Sequence, residues 1–433
     1  MQRRLFASPG LSLGLLGCLL ATACGGSETH TADDAGGDTS AGGDSAVVAV
    51  STTFKPVCTA DSTCSNGVCS GGVCVDNPQA AEHGALTDPA NDYQPSTEKL
   101  QTACVDQPLA EAIKGLPDIK TVTMWGRVDR FGGGDITADV EVDVFKLGDF
   151  HPEACAGIVD ADAREACFLD PKKVGTPIAG AISIDPDQAA VDAKLDVKAP
   201  KKSGETCTTH FDCPNGYECR KTKTDTAKLC IKAHGVYAIP GVPTNTELVI
   251  RLRKHIKSAD WHDSFYWDIV LFSDHLDPKG EGHQPTKFLG TDTYHVNPTI
   301  VGQAQWALVP QTLGLAEIKD GNGVIGGRIR DCGVLGKRGG FPIHFAKLGL
   351  GVPAAGLAFF NDNEDDTVPI KDKHATDTLG RFAAVDLPPG ANRVAASVEM
   401  DGKVLKLGAQ DVFIVPGALM IVSLPGRIPV LTK

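Results

Sequence analysis

Residues 394–407, VAASVEMDGKVLKL, decide the fold of this chain. Apolar side chains occupy every second position on both sides of a central Asp-Gly pair, which is the period of strands with one buried face. Asp-Gly is typical of a two-residue hairpin turn. With that turn, Val398 is predicted to lie opposite Leu405, and Ala396 opposite Leu407. The stretch therefore predicts a β-hairpin within a larger sheet.

The rest of the chain also favours strands over helices. Its 48 Gly and 27 Pro suit a turn-rich β protein. In residues 139–145, DVEVDVF, valines alternate with acids, which predicts a half-buried strand with the acids facing water. Further strands are predicted at 121–128, 246–253, 412–415 and 418–424, and short helices at 108–114 and 302–308. The predicted fold class is all-β.

The C-terminal stretch, residues 318–433, carries strand and turn signals about every ten residues, which is typical of a β-sandwich. Its segments GGRIRD (326–331) as a first strand, GLAFF (356–360) as a middle strand, TDTLGRF (376–382) and LPPG (387–390) resemble the carboxypeptidase regulatory-like domain. The Tyr that follows Pro-Pro-Gly in that family is replaced here by Ala391. The resemblance implies a small transthyretin-like or immunoglobulin-like sandwich.

An earlier stretch, residues 118–275, looks like a weaker copy of the same sandwich. GVYAIPGVP at 235–243 mirrors the aromatic-then-proline turn of the C-terminal copy. Residues 151–230 are then an insertion in a surface loop, which costs little loop-closure entropy. Residues 77–117 are predicted to form a linker with short helices, and 276–317 a connector between the two sandwiches.

The N-terminus, residues 1–23, has the features of an export signal. Two arginines precede a largely apolar stretch, and no acidic residue occurs before Glu28. LATAC, ending at Cys24, resembles the bacterial lipobox, in which the Cys receives a diacylglycerol before cleavage. LLGC, ending at Cys18, also fits, although cleavage there would leave apolar residues at the mature terminus; a signal without lipidation is the third alternative. By the same resemblance, Gly25 implies the outer membrane or the cell surface.

The segment that follows, residues 24–56, is rich in Gly, Ser, Thr and Asp and contains a single aromatic residue. Such a composition cannot bury enough apolar surface to offset the entropy of ordering the chain. We therefore predict a disordered, acidic linker between the lipid and the folded part.

Two cysteine-rich modules are present, at residues 57–76 and 207–230. CTADSTCSNGVC and CTTHFDCPNGYEC align over Cys-Thr, a second Cys, Asn-Gly and a third Cys, so they form an internal repeat. In an exported chain these short segments predict disulfides; zinc is the alternative, weakened by the absence of Cys-x-x-Cys. The pattern resembles a Dickkopf-like cysteine-rich motif, which implies an extracellular module. Its cysteines are Cys58, Cys64, Cys69 and Cys74, then Cys207, Cys213, Cys219 and Cys230.

The connectivity inside each module stays open, because four cysteines allow three pairings. Besides Cys18 and Cys24, four more cysteines lie outside the modules. Cys155 and Cys167 are near neighbours in sequence, so we predict that they pair. Cys104 and Cys332 are then paired by default.

An acidic run at 362–366, DNEDD, is a candidate metal site. Carboxylate oxygens packed in one loop are the ligands that calcium prefers. Asp362, Asp365 and Asp366 would supply them, and calcium is the one cofactor that the sequence suggests. The run lacks the Gly and the distal Glu of an EF-hand loop, and a solvated loop is the alternative.

An aromatic cluster at 261–267 is a candidate binding surface. Trp261, Tyr266 and Trp267 would stack on sugar rings or a partner's side chains if they were exposed. The alternative is a core strand, with Phe265 and Trp267 facing inward and Tyr266 pointing away.

Enzyme signatures are present only where their context rules them out. A Gly-x-Ser-x-Gly pattern at 10–14 lies in the export signal, and Gly-x-Gly-x-x-Gly at 321–326 runs into a predicted strand rather than a helix. No His-Glu-x-x-His occurs, so the His residues suggest no metallohydrolase. The sequence therefore predicts a protein that is not an enzyme.

The function expected from the sequence is that of a non-enzymatic, lipid-anchored cell-surface protein with a binding, adhesion or structural role. A formal net charge of −13 repels phosphates, so no nucleic-acid partner is expected. The expected partners are the membrane, through the lipid, and an envelope protein or glycan. A glycan-binding module using residues 261–267 and an unrecognised extracellular hydrolase are the alternatives.

Overall fold

The chain is described by a computed structural model over residues 47–76, 100, 102–131, 137, 139–183, 206, 217–220, 227, 229–232, 235–254, 261–274, 276, 292–332, 340, 342–360, 369–370 and 373–426. Most of these residues lie in mixed β-sheets, accompanied by a few short helices and a disulfide-rich N-terminal region. None of the helices within these ranges has the length and apolar character needed to cross a membrane.

The strands follow one another along the chain with few helices between them. The first eleven are β1 (Gly67–Ser70), β2 (Val73–Asp76), β3 (Thr121–Arg127), β4 (Asp129–Arg130), β5 (Val140–Lys146), β6 (Ala179–Ile182), β7 (Tyr217–Arg220), β8 (Leu229–Lys232), β9 (Val236–Pro243), β10 (Glu247–Lys254) and β11 (Trp261–His262). The others are β12 (Ser264–Val270), β13 (Thr293–His295), β14 (Thr299–Gly302), β15 (Gly323–Ile329), β16 (Lys347–Leu350), β17 (Gly356–Phe360), β18 (Pro369–Ile370), β19 (Arg381–Leu387), β20 (Gly390–Met400), β21 (Lys403–Ile414) and β22 (Leu419–Leu424). The helices are α1 (Leu109–Ala112), α2 (Glu153–Ala156), α3 (Ala161–Leu169), α4 (Pro171–Val174) and α5 (Gln303–Thr312).

A central sheet of nine strands, in the order β18-β17-β19-β15-β22-β12-β10-β5-β6, runs through both halves of the chain. The halves meet where β12 pairs in parallel with β22, with Ser264 opposite Leu419 and Tyr266 opposite Ile421. The strands that were predicted to form two separate sandwiches, at 118–275 and 318–433, therefore share one sheet. Turn residues in the sequence predict hairpins between strands that follow one another. Parallel strands need a long connection, so no local sequence pattern predicts their pairing.

Both faces of the central sheet are buried. On one face Phe265, Trp267 and Phe382 belong to a core shared with the sheet β16-β20-β21. On the other, Tyr266 and Leu248 belong to a core shared with the sheet β13-β3-β9. The architecture is thus three layers of sheet, and the inner strands of the middle layer, such as β19 and β22, have no face left for water.

The strand at 139–145, β5 in the structure, shows the consequence of this layering. Val140, Val142 and Val144 are buried as predicted, but Asp143 on the opposite face is only 5% exposed instead of facing water. Arg251 on β10 lies beside it and pairs with it. On the acidic face, Asp139 is exposed and Glu141 is partly exposed, so the prediction of a half-buried strand fails only at Asp143, which is covered beside Arg251 and Phe168.

The hairpin β20–β21 confirms part of the predicted register. Val398 lies opposite Leu405, and the turn residues Asp401 and Gly402 have φ of 52° and 73°. The predicted pairing of Ala396 with Leu407 is absent, because the register shifts at a bulge between Ala395 and Ser397. β21 continues to Ile414, so the strand predicted at 412–415 is part of β21.

The N-terminal cysteine-rich module lies against the sheet β16-β20-β21. Val73 and Val75 of β2 are buried in a small core with Ala395 of β20. Arg393 donates a hydrogen bond of 2.8 Å from Nη1 to the carbonyl oxygen of Gly71. The module at 57–76 is therefore part of the folded body.

Residues 47–56, predicted to belong to the disordered linker, also lie on this side of the molecule. Ala391 donates a backbone hydrogen bond of 2.8 Å to Ser51, and Val48 donates one of 2.8 Å to Gly157. The Arg393 guanidinium lies 4.8 Å from the ring centroid of Phe54. Backbone pairing and this aromatic contact order a segment whose composition alone predicts disorder.

Candidate ligand-binding pocket

A cavity of about 150 Å³ lies on the central sheet beside α5, on the face that carries Tyr266. The sheet forms its floor through β15, β19 and β22, and α5 forms one wall through Trp306 and Val309. The side chains that line it are mostly aliphatic or aromatic.

Small residues on the sheet create the space. Along β15 the side chains of Val324 and Arg328 lie on the same face as Gly326, because strand residues two apart share a face. A Cβ at Gly326 would point into contact with Leu419, 3.3 Å from its Cδ1. Ala383 on β19 adds a second short side chain to the floor. The cavity therefore exists because the floor carries short side chains on two adjoining strands, β15 and β19.

Aromatic side chains form the walls and are held in place by further contacts. Phe131 meets Phe360 edge to face, with ring centroids 6.2 Å apart. Trp306 stacks on His262, with centroids 4.1 Å apart and an interplanar angle of 14°. Tyr266 accepts a hydrogen bond at its hydroxyl from the backbone of Thr299, and burial raises the pKa of Tyr266 to about 12. Such rings offer flat, rigid apolar surface to a ligand.

Two arginines make the cavity polar at one end. Arg381 is committed to Asp377, with both Nε and Nη2 lying 2.6 Å from Asp377 Oδ2, and its guanidinium lies 5.1 Å from the Phe360 ring centroid. Arg328 is half-buried, and its side chain has no hydrogen bond or ion pair to a residue of the described ranges. Burial lowers the pKa of Arg328, and the like charge of Arg381 lowers it further.

The structure separates the three aromatic residues of the predicted stacking surface. Tyr266 lines the pocket and is 2% exposed, while Trp267 points to the opposite core, where it lies 5.8 Å from Phe150. Trp261 is half-buried beneath the Arg130 guanidinium, at 5.4 Å. The three rings form no joint surface, because both faces of β12 are covered.

Four disulfides are present in the described part of the chain. Cys155 is bonded to Cys167, and Cys104 to Cys332, the two pairs expected from the sequence. The N-terminal module uses Cys58–Cys69 and Cys64–Cys74. The Sγ atoms of Cys58, Cys64 and Cys74 lie within 4.8 Å of one another, but all three are in disulfides, so none is a free thiolate for zinc.

Several predicted sites lie outside the described residues. They are the lipidation site at Cys24 with its alternative Cys18, the calcium ligands Asp362, Asp365 and Asp366, and the cysteines Cys207 and Cys213. Cys219 and Cys230 lie directly opposite each other in β7 and β8.

Among the pocket residues that were not singled out from the sequence are Phe131, Trp306, Phe360 and Arg328. Trp306 lies on a helix that was predicted, and Arg328 on a strand that was predicted. The alternation of β15 could have placed Arg328 among apolar neighbours, which is an unusual position for a cation. No sequence pattern predicted that α5 would lie beside β15 and β19.

No known protein family has a model that matches this chain, and no curated protein matches it. The resemblance of residues 318–433 to regulatory-like domains thus stays a prediction. Among solved structures, the chain is similar to a streptococcal ancillary pilin, at 9% identity over 70% of this chain and 68% of that one, with a TM-score of 0.17. It is also similar to a shaft pilin of Lactobacillus rhamnosus GG, at 10% identity over 71% of this chain and 100% of that one, with a TM-score of 0.14. TM-scores this low carry no argument about fold or function.

Proposed function

We propose that this chain is an exported, non-enzymatic binding protein that holds a small apolar ligand in the pocket beside α5, with a lipid on Cys24 as its membrane anchor. The observation that carries the binding role is an apolar cavity walled by braced aromatic rings. Small-molecule sites are typically concave and mostly apolar, with a few polar groups that fix orientation.

The extracellular part of the proposal rests on the disulfides. Structural disulfides persist in oxidising compartments and are rare in the cytosol. Four of them in the described residues, one joining Cys104 to a residue 228 positions away, indicate folding outside the reducing interior. The resemblance of the residues ending at Cys24 to a lipobox supports the proposed attachment to the membrane.

Ligand binding can be tested on the whole chain carrying Cys24→Ser, produced with its disulfides intact. 3-Phenylpropan-1-ol, a neutral probe with a benzene-sized group, should show saturation transfer in NMR and a measurable dissociation constant by calorimetry. About ten heavy atoms at typical ligand efficiencies correspond to a dissociation constant on the order of 0.1 to 1 mM. Ala383→Phe, which adds a ring to the floor of the cavity, should abolish binding.

The matched control is Leu308→Phe, which adds a ring on the exposed side of α5, where Leu308 is 45% exposed. It should bind the probe as the parent does. Undiminished binding by Ala383→Phe with a native circular dichroism spectrum, or no binding by the parent, would refute the pocket as the site.

The anchor is tested separately by membrane fractionation of cells. Inhibition of lipoprotein signal peptidase with globomycin should leave the chain unprocessed, and Cys24→Ser should release it from membranes. Cys18→Ser should fractionate as the parent does. Release by Cys18→Ser but not by Cys24→Ser would move the lipid to Cys18.

A further inference from the structure

Arg328 enters the pocket from the middle of the sheet. β15 pairs with β22 so that Val324 lies opposite Leu419 and Arg328 opposite Ser423. Val324 and Leu419 both line the pocket, and Arg328 lies four residues beyond Val324 on the same face of the strand. Arg328 therefore lines the cavity from the strand that forms part of its floor.

The two carboxylates that attract Arg328, Asp377 and Asp129, are already engaged by other cations. Asp377 holds Arg381 through contacts of 2.6 Å, and Arg127 donates a hydrogen bond of 2.6 Å from Nε to Asp129 Oδ1. The side chain of Arg328 has neither a hydrogen bond nor an ion pair within the described part of the chain. Burial lowers the pKa of Arg328 despite the attraction of Asp377 and Asp129. A cation that is partly removed from water without a hydrogen-bonding partner is costly, because its lost hydration is not replaced.

We propose that the pocket selects small monocarboxylates with a compact apolar group and that Arg328 is the residue that binds the carboxylate. This inference rests on the proposed function, since it names the chemical class of the ligand that the same pocket takes. A guanidinium presents two parallel N–H donors that match the two oxygens of a carboxylate.

The size and the walls of the cavity restrict the rest of the ligand. A cavity of about 150 Å³ accepts a benzene-sized group. The rings of Phe131, Trp306 and Phe360 favour an aromatic or short branched tail over a polar one. The bound carboxylate would also lessen the repulsion between Arg328 and Arg381, whose like charge lowers the pKa of Arg328.

The test compares two probes that differ only in the head group, 3-phenylpropionate and 3-phenylpropan-1-ol, on the whole Cys24→Ser chain at pH 7 by calorimetry. The parent should bind the acid about tenfold to a hundredfold more tightly than the alcohol, the range expected for hydrogen bonds to a charged group. Arg328→Leu should bind both equally and keep the affinity for the alcohol.

Two further variants serve as controls, one for a loss of folding stability and one for the removal of a positive charge elsewhere. Arg328→Gln, which keeps a polar side chain, serves if Arg328→Leu has a lowered melting temperature, and it should also lose the preference for the acid. Lys403→Gln removes the charge of an exposed lysine in the β20–β21 turn and should keep the preference.

The outcomes separate the inference from the proposed function. If the parent binds the alcohol but prefers it to the acid or shows no preference, the assignment of carboxylates is wrong while the pocket stands. A preference for the acid that survives both Arg328 variants overturns the role of Arg328. Binding of neither probe overturns the proposed function and the inference with it.

Discussion

Arg251 and Asp143 form an ion pair inside the protein, with side chains 6% and 7% exposed. Arg251 places Nη2 2.8 Å from Asp143 Oδ2 and donates a 2.9 Å hydrogen bond from Nη1 to the carbonyl oxygen of Phe168. Its guanidinium also lies 5.0 Å from the Phe145 ring centroid. This pair lets the acidic face of β5 be buried, since a buried charge without a partner would oppose folding.

Removing one member of this pair should be strongly destabilising. Asp143→Asn leaves the Arg251 charge buried without its partner, and we expect a loss of about 3 to 5 kcal/mol in the free energy of unfolding, measured by urea denaturation. Glu141→Gln is the control, because its pair with Arg253 is more exposed and should contribute less than about 1 kcal/mol. Equal losses in the two variants would contradict the buried-pair argument.

Asp263 should contribute more to the stability of the folded protein at acidic pH than at neutral pH. Burial raises its pKa to about 6, against the opposing effect of Arg251, Arg253 and Lys254. Because the folded state holds this proton more tightly than the unfolded state, the contribution of Asp263 to stability is greatest below pH 4 and is lost as the pH rises to about 6.

The substitution Asp263→Asn isolates this effect. The stability of the variant relative to the parent should rise by about 1 to 3 kcal/mol between pH 4 and pH 7, measured by denaturant unfolding at several pH values. A difference that is constant over this range would show that Asp263 titrates normally in the folded protein.

At the scale of elements, the hairpin β1–β2 suggests how the second cysteine-rich module is cross-linked. Cys69 and Cys74 lie opposite each other in β1 and β2, and each is bonded to an earlier cysteine of its module. Cys219 and Cys230 occupy the equivalent opposed positions in β7 and β8.

The internal repeat then predicts the bonds Cys207–Cys219 and Cys213–Cys230. Peptide mapping of unreduced protein by mass spectrometry should recover these two pairs, with Cys58–Cys69 and Cys64–Cys74 as internal standards. Recovery of a Cys219–Cys230 peptide, or of alkylated thiols among the four, would contradict the equivalence of the two modules.

Local sequence patterns predicted the positions of strands and helices better than they predicted which strands pair and in which register. The strand β17 coincides with the predicted 356–360, and α5 begins beside the predicted residue 302. The bulge in β20 was not predicted, because an extra residue changes register without changing the alternation on either side of it. The pairing of β12 with β22 was not predicted either, since it joins residues more than 150 positions apart through side chains that would fit any apolar face.

The same reasoning explains how little of the pocket was predictable. Tyr266 was singled out for its ring, but as part of an exposed surface and not of a cavity. Arg328 was noted only as part of a strand. A pocket is defined by which surfaces meet, and here the surfaces come from α5, β15 and β19, whose arrangement depends on the whole tertiary fold.

At the scale of the molecule, the disulfides should stabilise it unequally. In the chain-entropy model a cross-link restricts the unfolded state more when it closes a longer loop. Cys104–Cys332 spans 228 positions and Cys155–Cys167 spans 12. Replacing both cysteines of a pair by Ala should cost about 5 kcal/mol for the long loop and about 3 kcal/mol for the short one.

Thermal and urea unfolding of the two double variants would measure this difference. The Cys155→Ala/Cys167→Ala protein is the matched control, because it also loses one bond and two sulfurs. A larger loss for the short loop would show that local packing around α2 and α3, and not chain entropy, determines the contribution.

Residues 47–56 pack on the side of the sheet β16-β20-β21, whereas the cavity lies on the opposite face of the central sheet. The central sheet therefore separates this segment from the side chains that line the cavity, and none of residues 47–56 belongs to that lining.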